Sequence, residues 1–173
     1  DYGNGTYVAS ASSVFTGIRR YDPFLAFDKN DFTDETIHNT WHSSGNTYQT
    51  STGVFTGNRS LGGYSGEWLK LELPNSIVLK EYTIFPRGYP YVGVRNPTDF
   101  VVIGSNDDTS WNLIDSQTGI TYVEGEEKIF DISSNTNSYR YYGMVISKIG
   151  FESGTNKYTV QVHEWKLYGE KPQ

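Results

Sequence analysis

The stretch EWLKLEL, residues 67–73, alternates apolar and polar side chains without a break. In an extended chain successive side chains point to opposite faces. Leu69, Leu71 and Leu73 therefore share one face, and Trp68, Lys70 and Glu72 the other. Runs of the same kind recur as IVLKEYTIF, DFVVIGS, EKIFDI, YRYYGMVIS and YTVQVHEWKLYG, each bounded by Gly, Pro, Asn, Asp or Ser. SNDDTSW reads as a turn between two of them. Helical periodicity is nearly absent. The best helical candidate is DPFLAF, where Asp22 is placed to cap and Pro23 to open one short turn. The expected fold is an all-β sandwich or jelly roll of about eight antiparallel strands. Such a fold carries its specificity on loops at one end.

Composition narrows what those loops do. Tyr, Phe and Trp number 14, 9 and 4, a mix that suits strands and binding faces better than helical bundles. The length of 173 residues suits one domain spanning residues 1–173, expected to be cut from a larger protein. A net charge of −6, with Arg19-Arg20 as the only adjacent basic pair, argues against nucleic acid as a partner. The absence of cysteine excludes Cys-zinc sites and thiol catalysis. No Ser-His-Asp order, HExxH or phosphate-cradling glycine loop is present, and Asp107-Asp108 belongs to a turn rather than to an acid/base pair. These patterns name no catalytic chemistry, yet they leave an enzyme open, since a glycosidase-type carboxylate pair has no sequence signature.

One region stands apart: FLAFDKNDFTDETIHNTWHSSG, residues 24–45, crowded with acids, amides and hydroxyls. It reads either as a solvated acidic loop or as an oxygen-rich ligand set for calcium. A second carboxylate bears on the choice. Glu164 shares its phase with Val160 and Val162 on the last strand. If the valines face the core, so does Glu164, and a buried carboxylate needs a cation or strong donors. The opposite phase, with Trp165 and Leu167, is apolar too.

Taken in order, AFDKND…TWHSSG, GEWLKLELP, YTIFPRG, NPTDFVVIGSNDDTSWNLI, YRYYGMVIS and VHEWKLYG resemble a discoidin domain, of the coagulation factor V/VIII type C family. Within it they are most similar to the family 32 carbohydrate-binding modules. The resemblance runs from Tyr7 to Gly169. It implies a galactose-binding-like jelly roll of two packed antiparallel sheets with a structural calcium. Carried over by position, it gives Asp28 and Glu164 as carboxylate ligands, Asn30, Leu25 and His163 as carbonyl ligands, and Thr33 as carbonyl and hydroxyl. In the family the Thr stands two residues before the Trp of WHS. Here Thr33 is much further from Trp41 and DETIHN looks inserted, so Asp31, Asp34 and Thr36 compete for that place.

The resemblance also implies a sugar site. His42, Arg87, Arg95 and Asn96 fall at its polar positions, with Arg95 and Asn96 competing for one role. Tyr89, Tyr91, Phe151 and Tyr158 are candidate aromatics, and Tyr48, Phe55 and Tyr64 are either core anchors or platforms. Flat rings cover the C–H face of a pyranose, while planar or charged groups read its hydroxyls. Trp41, one residue before His42, is expected to face the core. The function this implies is non-catalytic, lectin-like adhesion or targeting to glycans on an extracellular, cell or virion surface. A protein- or phospholipid-binding discoidin domain and a structural accessory domain are the alternatives. Acidic charge and Tyr- and Asn-rich loops rank membrane lipid lower.

Overall fold

The computed structural model describes residues 2–17, 21–30, 40–45, 47–88, 93–151 and 158–173. Its strands are β1 (Val8–Ala11), β2 (Trp41–His42), β3 (Ser60–Leu61), β4 (Tyr64–Ser65), β5 (Glu67–Phe85), β6 (Pro97–Ser105), β7 (Asn112–Gln117), β8 (Lys128–Asp131), β9 (Ser138–Ile149), β10 (Gln161–Val162) and β11 (Glu164–Glu170). All the pairings between strands are antiparallel. DPFLAF forms one 3-10 turn, Pro23–Ala26, with proline at its start as expected. Asp22 makes no side-chain capping bond to it.

EWLKLEL and IVLKEYTIF, read as separate strands, form the single 19-residue β5. Its first half pairs with β1 and β9, in the order β1-β5-β9-β6-β7, and its second half pairs with β8 and β11. The register with β9 shifts between Glu72 and Ile77, around Pro74, which has no N–H to give a ladder. β5 thus belongs to both layers of the sandwich. Leu69, Leu71 and Leu73 from its first half meet Leu79, Tyr82 and Ile84 from its second in one core. Trp41, Tyr142, Met144, Ile146 and Trp165 fill the same core. At about 1.5–3 kcal/mol for each large side chain, this burial is the main stabilising term.

YTVQVHEWKLYG, read as one strand, is two. β10 pairs with β2, the chain bends at His163, and β11 pairs with β5. Both phases are buried here: Val160, Val162, His163 and Glu164 are fully enclosed, and Trp165 nearly so. Simple alternation does not hold because the segment changes partners midway. No described helix is long and apolar enough to cross a membrane.

Candidate functional site

β2, β10 and the ends of β5, β6 and β9 meet at one end of the sandwich, and four candidate sugar-site residues meet there with them. His42 is opposite Gln161 in the β2–β10 pair, and the Gln161 N–H donates to the Arg95 carbonyl at 3.0 Å. Arg87 follows β5. The Asn96 side chain holds its main chain on both sides: the Arg87 N–H donates to Asn96 Oδ1 at 2.8 Å, and Asn96 Nδ2 donates to the Arg87 carbonyl at 3.2 Å. The Asn96 carbonyl accepts the Gly150 N–H at 3.1 Å. A Cβ on Gly150 would come within 2.2 Å of the Gly93 carbonyl, so only glycine admits this approach. The loop before β6 is thereby locked to the end of β9.

These contacts divide the competing pair. Asn96, 1% exposed, braces the Arg87 main chain, whereas the half-buried Arg95 contributes its carbonyl to β10. Alternation with an inward-facing Trp41 would turn His42 outward, yet His42 is only 6% exposed. Both residues are buried, because Phe15 stacks on His42 with ring centroids 4.8 Å apart. His42 Nε2 and Thr159 Oγ1 lie 2.6 Å apart. Arg87 is buried as well.

Among the aromatic candidates, Phe151 is exposed and Tyr158 half-buried, its carbonyl accepting the Thr47 and Tyr48 N–H groups. Tyr89 and Tyr91 lie outside the described residues. Tyr48 is a core anchor: it is buried, its hydroxyl donates to the Ile146 carbonyl at 3.0 Å, and Phe55 packs edge-on against it.

The acidic stretch meets Glu164 on another side of β11, against which the 3-10 turn also packs. Glu164 is wholly buried. The Lys29 N–H donates to its Oε1 at 2.8 Å, and Oε2 has no hydrogen-bond partner. Burial, with Asp28 beside it, pushes the Glu164 carboxyl up to about 7. The Asn30 N–H donates to Asp28 Oδ1 at 3.0 Å and holds that carboxylate in place. Two adjacent carboxylates and an orphaned buried oxygen fit a hard cation. Among the described residues no group of three or more His, Asp or Glu could hold a metal, so an ion here would also draw on carbonyl oxygens. Leu25 lies in the turn and His163 at the bend before β11, both near enough in sequence to supply them. Thr33, Asp31, Asp34 and Thr36 lie outside the described residues.

Two further features were not singled out in the sequence. Glu67, at the start of β5, is a second fully buried carboxylate. It accepts hydrogen bonds from the Ser12, Ser13 and Thr47 hydroxyls and pairs with Arg59. It shares its phase with Leu69, Leu71 and Leu73, which was a usable signal. Phe15 is the other, and no motif marks it. The turn at SNDDTSW is as expected. Asp107 accepts the Thr109 and Ser110 N–H groups, which hold its carboxyl well below the usual range, and Asp108 pairs with Lys70 at 2.6 Å.

No protein-family model and no curated protein matches the sequence. Solved structures do match the fold. CBM32-3 from a family 31 glycoside hydrolase of Clostridium perfringens has a TM-score of 0.66 at 17% identity, covering 95% of this chain and 91% of that one. CpGH89CBM32-5 from the same organism, in complex with GalNAc-β-1,3-galactose, has a TM-score of 0.63 at 16% identity over 94% and 95%. A fucolectin from the serum of striped bass, Morone saxatilis, has a TM-score of 0.63 at 15% identity over 94% of this chain and 46% of its own.

Proposed function

We infer that this chain, which folds as family 32 carbohydrate-binding modules and a fucolectin do, is itself a non-catalytic carbohydrate-binding module. The observation that carries the reading is the convergence of His42, Arg87, Arg95 and Asn96 at one end of the sandwich, from β2 and the connection between β5 and β6. Arginine offers planar, fixed-charge donors that suit paired sugar hydroxyls, and Asn96 fixes the main chain from which Arg87 projects. The matching neighbours support the choice of ligand, since one was solved with GalNAc-β-1,3-galactose and another is a fucolectin.

The reading includes a structural calcium. Asp28 and Glu164 would hold it by their carboxylates, with carbonyls from Leu25, Asn30 and His163. Bound there it would balance the buried Glu164 carboxylate and the exposed Asp28 beside it, and tie the 3-10 turn to β11. It also includes adhesion or targeting at an extracellular, cell or virion surface, as one part of a larger protein. A single sugar site binds weakly, so repetition in an assembly would supply the avidity.

A printed glycan array tests this, run with the wild type, Arg87→Met and Arg95→Ala, each checked by thermal melting. The wild type is expected to bind a defined set of glycans. Each variant should weaken that binding about tenfold or more, the scale of losing one charged hydrogen bond. A wild type that binds no glycan, or variants that bind as it does, would overturn the reading.

A further inference from the structure

Phe15 sits in ASSVFTG, residues 11–17, a run with no motif and no clear periodicity. In the fold it is fixed from three sides. Its N–H donates to the His42 carbonyl at 2.8 Å. Its ring stacks on the His42 imidazole, 4.8 Å between centroids and 18° from parallel. Tyr21 closes edge-on against both rings, at 5.6 Å from Phe15 and 5.0 Å from His42. A side chain on Gly17 would come within 2.8 Å of the Phe15 ring, so glycine there leaves its flank clear. With one face covered by His42, Phe15 is still 38% exposed, while His42 beneath it is only 6% exposed.

A ring stacked on one side and still 38% exposed is already ordered for stacking, so a ligand that lies on it loses little extra freedom. Its position is the loop end: His42 is opposite Gln161, and Gln161 bonds to the Arg95 main chain. On the reading given under Proposed function, we propose that Phe15 is the stacking platform of the sugar site. A pyranose lays a C–H face on the outer side of the ring and leaves its hydroxyls to the polar groups beside it. His42 is a positioning residue, setting the plane of the platform from below. The ligand class is a pyranose with a contiguous C–H patch on one face. Galactose-type sugars provide it, because the axial 4-hydroxyl leaves the hydrogens of C3, C4 and C5 together on the opposite face.

The test applies Phe15→Ala, Phe15→Trp and wild type to the same glycan array, then titrates each with methyl β-galactoside followed by proton NMR. Phe15→Ala is expected to bind about tenfold more weakly, with Phe15→Trp retaining binding. Ring-current upfield shifts of the sugar H3, H4 and H5 signals should appear with wild type and Phe15→Trp and vanish with Phe15→Ala. These shifts report the platform directly, so a loss of fold in Phe15→Ala leaves the wild-type and tryptophan arms decisive. Equal glycan binding by Phe15→Ala, or wild-type binding without upfield shifts, overturns the platform and leaves the sugar reading standing. A wild type that binds no glycan overturns the sugar reading and the platform with it.

Discussion

Glu67 and Glu164 open β5 and β11, and both are wholly buried. Their surroundings differ. Glu67 receives three hydroxyls and the Arg59 guanidinium, drawn from residues 12–13, 47 and 59. Arg59 extends the network to Ser44 at 3.1 Å, and Ser13 Oγ accepts the Ser44 N–H at 2.9 Å. The segments around Trp41 and His42 are thus fastened to the sandwich through one carboxylate. Glu164 has a single backbone N–H, a second carboxylate beside it and one oxygen with no partner. A buried charge supplied with donors by its own chain is a finished structural element. One set next to a like charge is stable only with a proton or an added cation.

The largest expected effect falls on the finished site. Glu67→Ala leaves Arg59 and three hydroxyls without their common acceptor, and should cost about 3 kcal/mol or more of unfolding free energy. Urea titration with and without calcium checks it. The loss should be the same in both, and a loss that calcium repairs would break the contrast. Next comes the unfinished site. Calcium at a hundredfold excess over its dissociation constant should stabilise the wild type by about 2.7 kcal/mol, and a chelator should remove that gain. Glu164→Gln should be no less stable than the metal-free wild type and should show no calcium effect. An unchanged calcium response in this variant would sink the proposed clamp.

Two smaller effects sharpen the same contrast. Lys29 presents its N–H to Glu164 from a left-handed backbone with φ of 61°, which costs a side-chain-bearing residue about 1 kcal/mol or more. Lys29→Gly should raise stability by up to about 1 kcal/mol in a thermal melt, since glycine's extra freedom offsets part of the relief. A decrease would mean that the Lys29 side chain, not its backbone, is what matters. The half-exposed Lys70–Asp108 pair sets the floor. A double-mutant cycle should return less than about 1 kcal/mol for it. A larger coupling would show that a pair in contact with water rivals the buried one at Glu67.

Much of the fold was legible because alternation is a local signal. The leucine face of β5, the 3-10 turn and the turn at Asp107 all follow from neighbours in sequence. Trp41 in the core was legible for the same reason. Burial of Glu164 was also read from alternation, yet the segment breaks at His163 and both of its phases are buried. The conclusion held where the local premise did not. Applied evenly, the same phase argument would have found Glu67. What could not be read are contacts between distant segments such as Phe15 over His42 and Asn96 bracing Arg87, while the meeting of Asp28 with Glu164 came only through the family resemblance. These depend on how β2 and β11 pair, which no local pattern specifies.

The proposed sugar site lies at the end of the sandwich where β2, β10 and the connection between β5 and β6 converge. The most direct measurement is a two-dimensional amide NMR titration of the protein, in buffer containing calcium, with methyl β-galactoside and methyl α-fucoside. Shift changes should cluster at residues 15, 42, 87, 95–96 and 158–161 and saturate with a single dissociation constant. Changes confined to another face of the sandwich, or no change with either sugar, would contradict it.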